Sequence, residues 1–272
     1  MTIYIFGSNG MLGNYIHSYL KKQNKNTICF TRKDYDLSNL SIDALSSFLQ
    51  SKNIQKDDVV INCAGVIPQA SKQRSLNTRL YFIINSLFPV ILSQICDKFG
   101  AKMIHVTTDC VFNGKTGNYN ENSIHNETND YGISKSLGEL CKATIIRTSI
   151  IGEEINNKRS LLEWVRSNKD KEINGYTNHF WNGITCLQLA KIINQIINTN
   201  NYWLGVCHIF SPRTVSKYEL VSIINEVYNL NIKINKFKTE NSIDKTITSN
   251  YLNLFKISDL VDQIKEMKNY NL

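Results

Sequence analysis

Ile3-Tyr-Ile-Phe-Gly-Ser-Asn-Gly-Met-Leu-Gly13 opens the chain with an apolar run that breaks into a loop containing three glycines. The run predicts a short buried strand. Met11 to about Gln23, with Leu12, Ile16 and Leu20 on one face, predicts the helix that follows. In such a unit Gly7 permits the tight turn, Gly10 lets the backbone approach a pyrophosphate, and Gly13 lets helix pack on strand, while the helix N-terminus faces the phosphates. A glycine pattern gains weight when it sits directly between a strand and a helix, as here. The residues expected to touch a dinucleotide from this loop are Gly7, Asn9, Gly10, Met11 and Leu12.

Working outward, the same alternation continues. Strands are predicted at Thr27–Thr31, Val59–Cys63, Lys102–Thr107 and Ala143–Arg147, with helices at Ile42–Lys52, about Leu80–Lys98 and around Tyr131. Alternating strands and helices imply a parallel sheet covered on both faces, the doubly wound Rossmann-type α/β fold. After the second strand, where an Asp or Glu would hold the ribose hydroxyls of NAD, the chain reads Thr31-Arg-Lys33. Arg32 and Lys33 place two cations where a 2′-phosphate would lie, which favours NADPH over NADH, and Asp36-Leu37 lie within reach of the adenine. The third strand ends in Cys63-Ala-Gly65, small residues that let the cofactor approach the backbone.

Chemistry concentrates in His105-Val-Thr-Thr-Asp-Cys-Val-Phe112 and Tyr131-Gly-Ile-Ser-Lys135. On a helix Tyr131 and Lys135 share a face, so an ammonium beneath the phenol is expected to favour its ionised form. Thr108, at the carboxyl end of the fourth strand, adds a hydroxyl to hold a carbonyl. Those three residues suffice to protonate a ketone oxygen while a nicotinamide hydride goes to its carbon. Pro89 inside the preceding helix predicts a kink. Asn85 either bridges Lys135 to water through a freed carbonyl or serves as a structural amide. Beyond Gly152 the rhythm changes: helices are predicted at Leu161–Ser167, Thr185–Asn198, Lys217–Tyr228 and Ser258–Lys268, with a strand at Val206–Phe210 and a polar, aromatic segment at Tyr176–Gly183. This organisation implies an NADP-binding domain over 1–150. Residues 151–272 then form a smaller substrate-binding lobe whose segments return to the main sheet.

A chain of 272 residues with 42% hydrophobic content can bury a core of that size. It shows neither a signal-peptide pattern nor an unbroken apolar run of about 18 residues, so no membrane partner is expected. Seven cysteines in mostly apolar contexts, without a C-x-x-C pair, read as reduced thiols of a cytoplasmic protein rather than a disulfide framework or a metal site. The net charge of +8 is scattered and accompanies no nucleic-acid motif, which points to a solvated surface and an anionic nucleotide rather than to nucleic acid.

The motifs together resemble the extended short-chain dehydrogenase/reductase family, and within it the dTDP-4-dehydrorhamnose reductase branch. The matching residues are Gly7, Gly10 and Gly13; Thr31-Arg-Lys-Asp-Tyr-Asp36; Asn62-Cys-Ala-Gly65; Asn85 to Pro89; Thr107-Thr-Asp-Cys-Val-Phe-Asn-Gly114; Tyr131 to Lys135; and Arg147-Thr-Ser149. The resemblance implies an oxidoreductase of deoxysugar nucleotide biosynthesis that reduces the C4 ketone of a nucleotide-linked 4-keto-6-deoxyhexose with NADPH. Thr108 and Tyr131 would hold and protonate the C4 oxygen, and Lys135 would also bind the nicotinamide ribose. Substrate contacts are expected from Val66, Asn85, Thr108, Asp109, Trp181 and Asn182, and a homodimer is common in the superfamily.

Two departures touch the sugar. Val66-Ile-Pro-Gln69 replaces a Tyr-Thr pair, and Ile150 replaces a Trp, so a UDP-2-acetamido-2,6-dideoxy-hexos-4-ulose is as good a candidate as dTDP-4-dehydrorhamnose. Cys110 stands where the related dehydratases carry their proton-abstracting Glu, so dehydration lacks its base. In the GDP-fucose synthase relatives a Cys two residues after the catalytic hydroxyl serves epimerisation, so Cys110 is either an epimerase acid/base or a space-filling residue, with His179 as candidate second acid/base. Arg147, Arg159 and Lys245 are candidates for the nucleotide anions. A reading of another class is an NADP-binding regulatory subunit without turnover, against which the intact Thr108, Tyr131 and Lys135 speak.

Overall fold

Period-two sorting of apolar side chains along buried strands organises this molecule, whose computed structural model describes residues 1–68, 78–156, 158–251 and 254–272. The expected loop from Val66 to Thr78 therefore falls mostly outside the described residues, Gln69 included. The first half runs β1 (Ile3–Phe6), α1 (Met11–Lys22), β2 (Thr27–Phe30), α2 (Ile42–Ser51), β3 (Val59–Asn62), α3 (Phe88–Phe99), β4 (Lys102–Thr108), α4 (Asp130–Gly138) and β5 (Thr144–Thr148). The second half runs β6 (Ile150–Ile151), α5 (Leu161–Ser167), β7 (Glu172–Tyr176), β8 (His179–Trp181), β9 (Ile184–Thr185), α6 (Cys186–Thr199), β10 (Gly205–His208), β11 (Val215–Ser216), α7 (Lys217–Tyr228), β12 (Lys233–Phe237), β13 (Ile243–Asp244) and α8 (Leu260–Lys268).

Six parallel strands form the central sheet in the order β10-β5-β4-β3-β1-β2. The doubly wound, Rossmann-type fold expected from the alternation is present. Ile3, Ile5, Ile61 and Ile104 face one core, shared with Leu12, Ile16 and Leu20 of α1 and with Ile193 and Ile196 of α6. Tyr4, Phe6, Val60 and Met103 face the other, filled by Leu45 and Leu49 of α2 and Phe88 and Leu92 of α3. Burying the three α1 residues contributes roughly 5–9 kcal/mol, which fixes the helix whose N-terminus faces the ligand cleft. The strand order reverses beside β1, so a crevice opens between the carboxyl ends of β1 and β3.

Pro89 lies inside a continuous helix, Thr78 to Phe99, whose Tyr81–Leu87 stretch just before it winds as a π-helix. The segment from Thr78 to Phe99 is 22 residues long with hydropathy 1.5, which by length and composition suffices to cross a membrane; its Phe88, Leu92 and Ile95 lie against the sheet.

β10 closes the sheet beside β5, pairing from Gly205 with Thr144 to His208 with Arg147. Small sheets absent from the sequence reading surround it: β11-β8-β13, β12 with β7, and β6 with β9. The Tyr176–Gly183 segment is thus partly strand. Its pairing with Ile243 and Asp244 is long-range, and two- and three-residue strands leave almost no periodic signal.

Candidate active site

The loops that follow β1 and β3 meet at the crevice. Gly7 adopts φ +74°, and a Cβ there would lie 2.7 Å from the backbone nitrogen of Ala64; a Cβ on Gly13 would lie 2.2 Å from the Gly7 carbonyl. The two loops and α1 therefore approach as closely as backbone allows, leaving a cleft of about 200 Å³ lined by Gly7, Gly10, Arg32, Asp36, Leu37, Cys63, Ala64, Gly65 and Val66, among others. Eight expected cofactor contacts converge there, together with Val66, which was expected on the substrate side. Phe30 and Tyr35 also line it. Asp36 accepts the Ser38 N–H at 3.0 Å, and that bond holds its carboxyl below the usual range.

Four other expected contacts lie off this wall. Leu12 is buried in the core behind α1 and Met11 packs beside Gly152. Asn9 offers its carbonyl to Asn14 and Asn156, and Lys33 is exposed. A polar or basic residue next to a motif does not reveal which way its side chain leaves the loop.

At the end of β4 the backbone turns into a one-turn 3-10 helix, Asp109–Val111, which Thr108 caps by accepting the Cys110 N–H at 3.1 Å. The Thr108 hydroxyl donates to Asp109 Oδ1 at 3.1 Å and shares a hydrogen bond with Tyr131. Asn129 caps α4 through the Gly132 N–H, and the Tyr81 ring meets Tyr131 edge-on at 5.8 Å, so the phenol is set from both sides. Lys135 donates to the Val106 carbonyl at 3.3 Å, and its ammonium lies 4.0 Å from where a Cβ on Gly65 would be. Thr108, Tyr131 and Lys135 are thus gathered beside the cleft.

The charge balance differs from the expectation. Burial, followed by the Cys110 and Asp109 side chains, raises the Tyr131 phenol above its ordinary value. Burial also pulls Lys135 down to about 8, with Glu139 opposing. Tyr131 is therefore held as a protonated phenol rather than ionised. Asp109 is raised by burial, against Lys245 and Lys217. Cys110 donates to Asp109 at 3.5 Å and is pushed up to about 12 by burial and by that carboxyl, so its thiol stays neutral.

Several further expectations are corrected. Asn85 clamps Val66, accepting its N–H at 2.9 Å and donating to its carbonyl at 3.0 Å, and donates to Ser134; its own carbonyl faces Gly138. Buried and with its amide spent on these partners, it fits the structural alternative. Asn182 is spent likewise, pairing with both the carbonyl and the N–H of Ile247. Arg147 is buried against Glu139, His125 and His208, which removes it from the candidates for a nucleotide anion. Trp181 is a core residue beneath Lys217. His179 turns to Thr239 at 2.8 Å and lines a separate pocket. Lys245 pairs with Glu127, and Arg159 is exposed. Tyr81, Ser149 (hydrogen-bonded to Asp109) and Lys217 were missed, since nothing in their local sequence distinguishes them.

The family model described as RmlD substrate binding domain matches residues 1–251. Among known proteins, the chain is similar to the spore coat polysaccharide biosynthesis protein SpsK of Bacillus subtilis, 25% identical over 252 residues covering 90% of this chain and 85% of that protein. It is similar also to a dTDP-4-dehydrorhamnose reductase of Mycobacterium tuberculosis, 26% identical over 156 residues covering 53% of this chain and 48% of that one. The solved structure of dTDP-4-dehydrorhamnose reductase from Bacillus anthracis in complex with NADP shares the fold, with a TM-score of 0.82 over 98% of each chain at 23% identity. By the match of nearly its whole length, the chain belongs to the RmlD substrate binding domain family, in agreement with the resemblance read from its motifs.

Proposed function

We propose that this chain is an NADPH-dependent oxidoreductase that reduces the C4 ketone of a nucleotide-linked 4-keto-6-deoxyhexose. The observation that carries the reading is the meeting of Thr108, Tyr131 and Lys135 at the mouth of the glycine-lined cleft. Held by this cleft, NADPH would supply the hydride for the ketone carbon. Thr108 and Tyr131 hold the ketone oxygen, and Tyr131, kept protonated by burial, delivers its proton there. Lys135 sits under Gly65 to bind ribose hydroxyls. Arg32, on the cleft wall where an acidic residue would select NAD, meets the 2′-phosphate.

In this reading residues 1–150 hold the cofactor and residues 151–272 mainly the substrate. The second half contributes a pocket of about 500 Å³ walled by Leu161, Trp164, Ile173, Tyr176 and His179, which suits a nucleoside. UDP and dTDP sugars remain the two candidates. The neutral Cys110 thiol favours a reductase without epimerase action. The test is NADPH oxidation with a panel of UDP- and dTDP-linked 4-keto sugars. Tyr131→Phe is expected to cost about 10²–10⁴-fold in kcat while leaving NADPH binding intact. Undiminished turnover in that variant, or NADPH binding without turnover across the panel, would overturn the reading.

A further inference from the structure

A lysine at the first position of a helix opposes the positive end of the helix dipole, and Lys217 opens the twelve-residue α7 in that place. Among the described residues its ammonium makes no hydrogen bond or ion pair; its direct contact is the face of the Trp181 ring, 5.2 Å from the centroid. The residue is half-buried. Burial pulls it below the ordinary amine value, and it feels the Asp109 carboxyl and Cys110 without pairing to either. Lys217 also lines the pocket of Trp164, Tyr176 and His179. It therefore stands between the Thr108–Asp109–Cys110 corner and that aromatic pocket. A half-buried cation that makes no ion pair carries a desolvation cost that an anion at this point would offset.

We propose that Lys217 binds the diphosphate of the substrate, with the sugar directed toward Thr108 and Tyr131 and the base in the aromatic pocket. The positive end of α7 adds to the attraction. This deepens the reductase reading and rests on it for the position of the sugar.

The test is calorimetric titration of the full chain with UDP, dTDP, uridine and thymidine, comparing wild type with Lys217→Met and Lys217→Arg. Losing one charge-assisted contact lowers affinity for the preferred diphosphate by about ten- to a hundredfold in Lys217→Met. The nucleoside is bound as before, Lys217→Arg retains most of the diphosphate affinity, and the ligand-free Met variant melts at or above the wild-type midpoint. The proposal is overturned by undiminished diphosphate binding in the Met variant, an equal loss of nucleoside affinity, a lowered midpoint, or no binding of either diphosphate to wild type at millimolar concentration. A loss of turnover with intact diphosphate binding would place the lysine on the sugar and overturn it as well. Since titration needs no turnover, NADPH oxidation by the wild type judges the reductase reading separately.

Discussion

A side chain that must donate a proton at neutral pH has to keep it until the substrate oxygen takes it, and Tyr131 meets that need by burial. The same burial that keeps Tyr131 protonated leaves Cys110 beside it a poor proton carrier, because the Asp109 carboxyl adjoins the thiol. Cys110→Ser is therefore expected to hold NADPH oxidation within about twofold of wild type. Deuterated water should leave no label at the carbon next to the ketone; label in wild type that vanishes in the Ser variant would reverse this assignment. Thr108, Tyr131, Lys135 and the cleft glycines were legible in the sequence because fixed spacing on a strand end, a helix face and a loop determines where they point. Asn85, Asn182 and Arg147 were misread because a buried polar group is defined by its partner, and Val66, Ile247 and Glu139 are distant or unremarkable in the chain. Lys217 was invisible for the opposite reason: a lone lysine ahead of a helix reads as solvated.

Among elements, α4 carries the proposed proton donor and is seated by a backbone contact. The π-helical turn before Pro89 frees the Asn85 carbonyl, and that oxygen would lie 2.0 Å from a Cβ at Gly138. By helix propensity alone Gly138→Ala would stabilise the protein by about 0.5–1 kcal/mol. The collision instead forces α4 away from its neighbour, so the variant is expected to lose about 1–3 kcal/mol and to lose turnover through displaced Tyr131 and Lys135. Urea unfolding and NADPH oxidation measure the two effects, and a higher urea midpoint would show that the contact has room to give. Long helices and the parallel strands were readable from periodicity. β7, β12 and β13 were not, because their stability comes from partners up to sixty residues or so away.

Below neutral pH, the histidines make the molecule sensitive to acid. All five histidines lie below their ordinary value, with burial the leading cause at His17, His105, His125, His179 and His208, the last reaching about 4. A histidine depressed in the folded state binds its proton more readily once unfolded. Its stabilisation is thus complete above about pH 6.5 and drains away as pH falls toward the folded value. His208 alone accounts for about 3 kcal/mol between the two. Asp109, raised by burial, acts in the opposite sense but is a single group. The thermal midpoint is expected to fall steeply between pH 6.5 and 4.5, and a flat profile across that window would count against this account.

The place of β10 at the edge of the central sheet bears on how the chain is made. On the ribosome, Thr144–Thr148 emerges well before Gly205–His208, and at about 5–20 residues per second the interval is roughly 3–11 seconds. Throughout that time the nascent sheet exposes the bare backbone of β5, next to the proposed proton-donor helix. An open, apolar strand edge is the feature most prone to pairing with a second nascent chain. Synthesis of this protein therefore has a vulnerable interval that ends only when a segment from its second half arrives to complete the sheet begun by its first.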